Sequence, residues 1–314
     1  MSISTNTFMI ASDWMKRNAR PLEVARWEYF FEGASRDKVI QYLSAFQNKD
    51  GGFGHGLEPD FWSPASSPMA TWAAGQILIE IGADSNDKIV KAMIQYLTQT
   101  NDKKTGLWPS VLPENNDYPH APHWHWQEGV QSFWMFNPSV ELAAFLVHWS
   151  AEQSESALVG WNSIEKAVKR LMSADEMNMH EINNYQQFIK IIQPNEEQFN
   201  SIINQSFQVV SDKIISLAEL CVDRDISNWS SGYKALPLDF ITSPEDSLSS
   251  IFGDLIEQNL EYYKEQLSDD GVWDISWSWN DYPAEFAIAR RYWQGILAVK
   301  RYKLLQSLGY LKGE

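Results

Sequence analysis

Three segments of this chain carry one pattern, and their spacing limits the fold more than any other feature. Each has a helix end bearing tyrosine, a polar stretch with Gln or Asn, a glycine, and an aromatic residue two places beyond it. The first runs from Tyr42 through Gln47 and Gly51 to Phe53, and the second from Tyr96 through Asn101 and Gly106 to Trp108. The third runs from Tyr263 through Gln266 and Gly271 to Trp273. Gly51 and Gly106 lie 55 residues apart, and Gly106 and Gly271 lie 165 apart, three times that period. Two degenerate copies fit in the longer interval, so the chain is expected to stack one supersecondary unit several times. In that unit a helix ends, glycine makes the left-handed turn, and the aromatic folds back as a staple.

Apolar residues elsewhere recur at helical spacing. Val39, Tyr42, Leu43 and Phe46 predict one amphipathic helix, Ile89, Met93, Tyr96 and Leu97 a second, and Leu248, Ile251, Phe252 and Leu255 a third. Ser67-Pro68, Asn137-Pro138 and Ser243-Pro244 read as capping residues with proline at the first helical position, and Asp246 stands where a capping box places its acid. Ala70, Ala73, Ala74 and Gly75 make the helix after Pro68 thin on one side, as suits an inner helix. No alternating β-branched run persists, so the expected class is all-α, one domain over residues 1–314.

The net charge of −16 argues against nucleic acid or an anionic membrane surface as the partner, and favours a small molecule. A diphosphate would need local arginines or a metal ion to reverse the field. Cys221 is the only cysteine, which excludes an intrachain disulfide and a cysteine-rich zinc site. No stretch approaches 18 uninterrupted apolar residues, and no basic start followed by an apolar run opens the chain. The expectation is therefore a cytoplasmic protein without a membrane span. The unusual component is aromatic: 15 Trp, 12 Tyr and 15 Phe, with Trp crowded into residues 106–149 and 273–293.

The recurring tyrosine, Gln and Gly-x-aromatic pattern resembles the QW-type repeat of squalene and oxidosqualene cyclases, whose fold is shared with protein prenyltransferase β subunits. The resemblance implies an α/α toroid of about five to six helical hairpins, with outer and inner helices alternating round a cavity. It covers the repeats along most of the chain, while residues 150–225 are too divergent to align. The catalytic signatures of those families are absent. There is no Asp-x-Asp-Asp, Cys221 lacks an Asp-x-Cys context, and there is no Asp-rich magnesium motif. The resemblance thus implies a scaffold and an isoprenoid-type substrate, with the acid placed elsewhere.

In such a ring the turns leading to inner helices gather at one mouth, and three turns here are dense in polar and aromatic residues. His55, Glu58, Asp60 and Trp62 stand in the first, His120, His123, Trp124, His125 and Trp126 in the second, and Asp274, Trp277, Trp279, Asp281 and Glu285 in the third. Pro59 between Glu58 and Asp60 stiffens a carboxylate pair that an apolar site would drive apart in pKa, giving one general acid. The plainer reading is that they cap a helix or pair with a base such as Arg290. His55, His123 or His125 would tune the acid. His120, His123 and His125 fall within six residues, leaving a divalent metal open, although no recognised ligand spacing is present and no cofactor motif is found. Trp124 with Trp126, and Trp277 with Trp279, alternate with other residues, so each pair would present both indoles on one side of an extended loop. Such faces serve a carbocation or a sugar ring, or simply staple the turns. Asp281 is placed to cap the last long helix, with Glu285 and Arg290 in its first turns. The leading expectation is acid catalysis of the cyclase or prenyltransferase type. A glycoside hydrolase or polysaccharide lyase with paired carboxylates, and a non-catalytic binding toroid, are the alternatives.

Overall fold

The computed structural model describes residues 2–311. Its helices in order are α1 (Thr5–Asn18), α2 (Pro21–Phe31), α3 (Arg36–Leu43), α4 (Pro68–Glu80), α5 (Lys88–Thr100), α6 (Gln131–Trp134) and α7 (Ser139–Trp149). There follow α8 (Glu155–Met172), α9 (Met179–Ile192), α10 (Glu196–Ile202), α11 (Phe207–Cys221), α12 (Ser247–Phe252), α13 (Leu255–Glu265) and α14 (Pro283–Ser307). The fold is all-α. Extended pairing among the described residues is confined to isolated bridges, and none of their helices is long and apolar enough to cross a membrane. The chain separates into two compact units, residues 46–221 and residues 2–45 with 222–311.

In the central unit, α4, α7 and α9 form one layer and α5, α8 and α11 a second. The segment that is divergent in sequence, 150–225, thus supplies regular helices to both layers. Helix α7 packs against α4, α5, α8 and α9, and every residue of it except His148 is buried. Its Val140, Leu142, Phe145 and Leu146 are fully enclosed, each worth about 1.5–3 kcal/mol of burial. The small residues of α4 serve this approach: a Cβ on Gly75 would stand 2.1 Å from the Phe145 ring.

The other unit joins both ends of the described chain. Helices α1, α2 and α14 pack on one another, α3 on α2, and α12 on α13. Trp27 and Trp273 both meet the buried Tyr302 edge-on at 5.2 Å. Ile3 bridges Leu311.

The repeated turns have the construction their sequence suggests. Gly51, Gly106 and Gly271 take φ of 93°, 78° and 73°, in the left-handed region that favours glycine. The indole Nε1 of Trp108 donates to Leu97 O at 2.9 Å, and that of Trp273 to Tyr263 O at 2.6 Å, each clasping the helix before it. Phe53 has no such donor; Gln47 Nε2 donates instead to Gly51 O and Ile89 O at 3.0 and 2.9 Å. The glycines also permit contact with a neighbouring helix. A Cβ on Gly51 would lie 2.1 Å from Ala92 O of α5, and one on Gly271 would lie 2.9 Å from Thr7 O of α1.

Several boundaries differ from the sequence expectation. Ser67-Pro68 opens α4 as expected, with Ser67 Oγ accepting from Ala70 N at 3.0 Å. At Asn137-Pro138 the helix begins one place later, at Ser139, because Ser110 Oγ donates to Asn137 O and holds that residue in the loop. Ser243-Pro244 opens no helix. Asp246, the better acceptor, is itself the cap of α12, receiving Leu248 N at 3.3 Å. The predicted helix through Leu248 and Leu255 is broken at Gly253, where φ is 50°. Because Pro283 is the first residue of α14, its cap position falls on Tyr282 rather than Asp281, and no side chain caps it.

Candidate functional site

The first two polar turns belong to the central unit and are joined there. Phe61 bridges His120, Trp62 N donates to Pro119 O at 3.0 Å, and Ala121 N donates to Asp60 O at 2.7 Å. Glu58 and Asp60 are both buried. Glu58 Oε2 accepts from Asp60 N at 2.7 Å, so part of its capacity is spent inside its own turn. His123 Nε2 stands 4.0 Å from Asp60 Oδ2. Burial lowers the His123 pKa to about 4, and electrostatic repulsion from the nearby His180 and His120 imidazoles adds to the shift, although half of its side chain meets solvent. The imidazole is therefore neutral at pH 7, and this contact is not an ion pair there. His120 and His125 stack, with Nε2 and Nδ1 3.1 Å apart, while His120 Nδ1 lies 2.6 Å from Tyr118 O. The carbonyl favours the proton on Nδ1, which leaves Nε2 to accept from His125. His55 is exposed, with φ 57° and Nε2 at 2.9 Å from Asn48 Oδ1.

The tryptophans are used unequally. Trp124 is buried, stacked on Trp134 at 4.6 Å and tilted against Phe61 at 5.1 Å. Trp126 and Trp62 are half-buried. Trp126 is held through its backbone by Asn116, and Trp62 donates through Nε1 to Pro59 O. Trp124 is more deeply buried than Trp126, and Pro122–Trp124 is a 3-10 turn, so the two-residue alternation of an extended loop does not apply there.

The third turn belongs to the other unit. Arg290 Nε lies 2.8 and 3.0 Å from the two oxygens of Asp274, and its Nη2 also contacts Oδ2. This guanidinium holds the Asp274 carboxyl below its usual range. Trp277 is half-buried, edge-on to Trp293 at 5.3 Å and to Tyr233 at 5.8 Å. Trp279 is buried against Phe286. Asp281 is exposed and Glu285 half-buried at the start of α14.

A group that sequence reading passes over lies within the central unit. Glu141, 1% exposed, projects from α7, whose other residues are apolar except Ser139 and His148. Its Oε2 accepts from Trp72 Nε1 at 2.6 Å, Asn184 Nδ2 at 2.9 Å and Gln76 Nε2 at 3.3 Å. Trp72 and Gln76 stand one turn apart on α4, and Asn184 comes from α9, so three helices of one layer converge on one carboxyl. Burial pushes its pKa up to about 7, and the three hydrogen bonds only partly oppose this. No charged group is among the causes, which is what keeps the acid form populated at neutral pH. Asn184 is itself buried, and among the described residues its Oδ1 has no hydrogen-bond partner. One turn earlier on α9, buried Glu181 meets Arg170 at 3.3 Å and Phe136 N at 3.4 Å. Burial raises its pKa, against the pull of Arg170. The signal for Glu141 was present in the chain: it is the only acid between Pro138 and Ala151, and a lone acid in a predominantly apolar helix requires a reason.

Among the described residues no group of three or more His, Cys, Asp or Glu is arranged to hold a metal ion. A family model described as the poxvirus A6 protein matches residues 144–240, less than a third of the chain. That stretch begins in α7 beyond Glu141 and includes Glu181 and Asn184. No curated protein and no solved structure matches the chain.

Proposed function

We propose that this chain is a cytoplasmic enzyme of the terpenoid cyclase and prenyltransferase type, acting by acid catalysis on a small isoprenoid substrate within an α/α toroid, with Glu141 as its proton donor. The observation that carries this reading is a carboxyl that burial raises to a pKa of about 7 and that only neutral donors contact. A general acid works best when its pKa lies near the working pH. A cyclase requires one enclosed acid among aromatic and aliphatic groups, whereas a glycosidase requires two carboxyls facing each other across the scissile bond. The described partners of Glu141 are an indole and two amides, which favours the first. A purely binding toroid gives no reason for such an acid. Asp60 beside neutral His123 is the second acid in this reading, with Glu58 in the same turn, and half-buried Trp62 and Trp126 are the aromatic surfaces for substrate.

The test is turnover of isoprenoid substrates by Glu141→Gln. The amide keeps the shape and cannot donate a catalytic proton, so the rate is expected to fall about 10²–10⁴-fold with the helical circular dichroism unchanged. Full retained turnover would remove Glu141 from the role and pass it to Asp60, tested in the same assay by Asp60→Asn. Turnover of oligosaccharides instead would move the reading to a carbohydrate enzyme.

A further inference from the structure

Between α5 and α8 of the central unit lies an open groove of about 370 Å³, within the size range of ligand sites. Its floor is fixed by a link across the two helices. Thr98 Oγ1 donates to Ile94 O at 2.7 Å and so receives the Ser156 hydroxyl, 2.8 Å away. One end is fixed as well: Lys103 O, in the turn after α5, accepts from Asn162 Nδ2 at 3.2 Å and Lys166 Nζ at 2.8 Å, both on α8. The groove is therefore shaped before anything enters it, which lowers the ordering cost of binding.

Lys91, Gln95 and Gln99 recur every fourth residue on α5, all exposed and all lining the groove, and Lys103 follows at the same interval beyond the helix end. Cations thus stand at the two ends of a row, with carboxamides between them. Lys91 Nζ reaches Asn86 Oδ1 at 3.4 Å and, among the described residues, no carboxylate. Lys103 meets Glu155 at 3.3 Å in an exposed pair of little strength. In a chain of net charge −16, the groove is a local cationic surface, with two lysines against one glutamate. Gln95 and Gln99 lie one turn apart, about 6 Å along the axis, and an extended peptide repeats its same-facing backbone groups every second residue, at about 6.6 Å. Each carboxamide can donate to and accept from one such repeat. From Lys91 to Thr100, the last residue of α5, the helix rises about 14 Å, the span of about four extended residues. A compact anion such as phosphate would engage one end and leave the carboxamides unused. Ile94 is the one apolar residue lining the groove, so a hydrocarbon chain has little to bury there.

We infer that this groove binds an extended peptide segment of a partner protein, recognised by two acidic side chains about four residues apart. One acid pairs with Lys91 and the other with Lys103, where it replaces Glu155, while Gln95 and Gln99 hold the backbone between them. An even spacing places both acids on one side of the extended segment. The groove shares no residue with the Glu141 centre, so its occupancy is independent of the proposed function.

The experiment is an NMR titration of the full chain, at low ionic strength, with a capped pentapeptide bearing glutamate at both ends and serine between. Comparators are the same peptide with glutamine at both ends, one with its two glutamates adjacent, and citrate. The first peptide is expected to bind and to move the carboxamide signals of Gln95 and Gln99, and the glutamine peptide to bind about tenfold more weakly. Lys91→Gln and Lys103→Gln should each weaken the first peptide about threefold, and Gln95→Ala with Gln99→Ala about tenfold. Glu155→Gln should tighten it about twofold by freeing Lys103. The peptide comparisons use the wild type alone, so they decide the question even where a variant misfolds. No binding of the first peptide, or equal binding of either comparator peptide, would overturn the inference. So would citrate that binds as tightly and moves the same signals, affinity that survives both lysine substitutions, or a Glu155→Gln variant that binds no more tightly.

Discussion

Asp274 and Glu141 each collect several hydrogen bonds on a carboxyl group, in different units and in opposite surroundings. Asp274 is partly exposed and faces one guanidinium, so its charge is matched and its pKa falls. Glu141 is enclosed by an indole and two amides, which solvate a charge poorly without balancing it, and its pKa rises to about 7. The number of hydrogen bonds does not separate the two; the charge of the donors and access to water do. The first arrangement fixes a turn on a helix, and the second stores a proton.

Substitution by lysine breaks this comparison most sharply. Glu141→Lys buries a cation among groups with no negative charge to offer, and should cost about 3–5 kcal/mol in denaturant unfolding. Asp274→Lys sets a like charge beside Arg290 in water, and should cost under about 1 kcal/mol. Equal effects would show that the two sites do not differ in dielectric surroundings.

The pH dependence comes next. Below the ordinary value of 4.5 both folded and unfolded Glu141 carry the proton. As pH rises towards 7 the unfolded chain releases it first, so the contribution of Glu141 to stability is lost across that window. The loss amounts to about 3 kcal/mol and levels off above pH 7. Glu141→Gln should abolish that slope. Asp274 has the opposite sign: its contribution is present above 3.8 and is lost as pH falls through its depressed pKa.

Trp72→Phe removes the shortest donor to Oε2 and spares the ring. That hydrogen bond favours the charged form, so its loss should raise the Glu141 midpoint above 7 in an infrared titration of the protonated carboxyl band. A midpoint moving downward would show that Trp72 does not stabilise the carboxylate. The smallest effect is expected from Asp274→Asn, under about 1 kcal/mol and shrinking in high salt, because the pair is partly exposed and screened.

What could be read from the chain divides along similar lines. The glycine turns were legible because their signature is local: a left-handed residue, an aromatic two places on, and the carbonyl that receives Trp108 or Trp273 ten or eleven residues back; the distant seats of Gly51 on α5 and Gly271 on α1 were not. The all-α class followed from helical periodicity, which local sequence carries directly. Helix starts were read less well, since Asp246 outcompetes Ser243 and a proline alone does not tell which neighbour caps. The polar turns were visible as clusters, but the split between buried Trp124 and half-buried Trp126 depends on a short 3-10 turn. Glu141 was visible as a lone acid in an apolar stretch, but its surroundings were not, because its partners Trp72 and Asn184 lie 69 and 43 residues away. Only the packing of α4, α7 and α9 makes it more than one acid among many.

The pairing of both described ends in one unit has a consequence in time. Gly271 seats on the backbone of α1, and Ile3 bridges Leu311, so α1 to α3 leave the ribosome long before the helices that cover them. At about 5–20 residues per second the intervening central unit takes about 10–35 s to synthesise. Throughout that interval Trp14, Trp27 and the apolar face they share have no α14 to meet. The central unit, continuous in sequence, is free to fold first. The growing chain would be most open to chaperones, and to aggregation, at α1 to α3 rather than at α12 to α14.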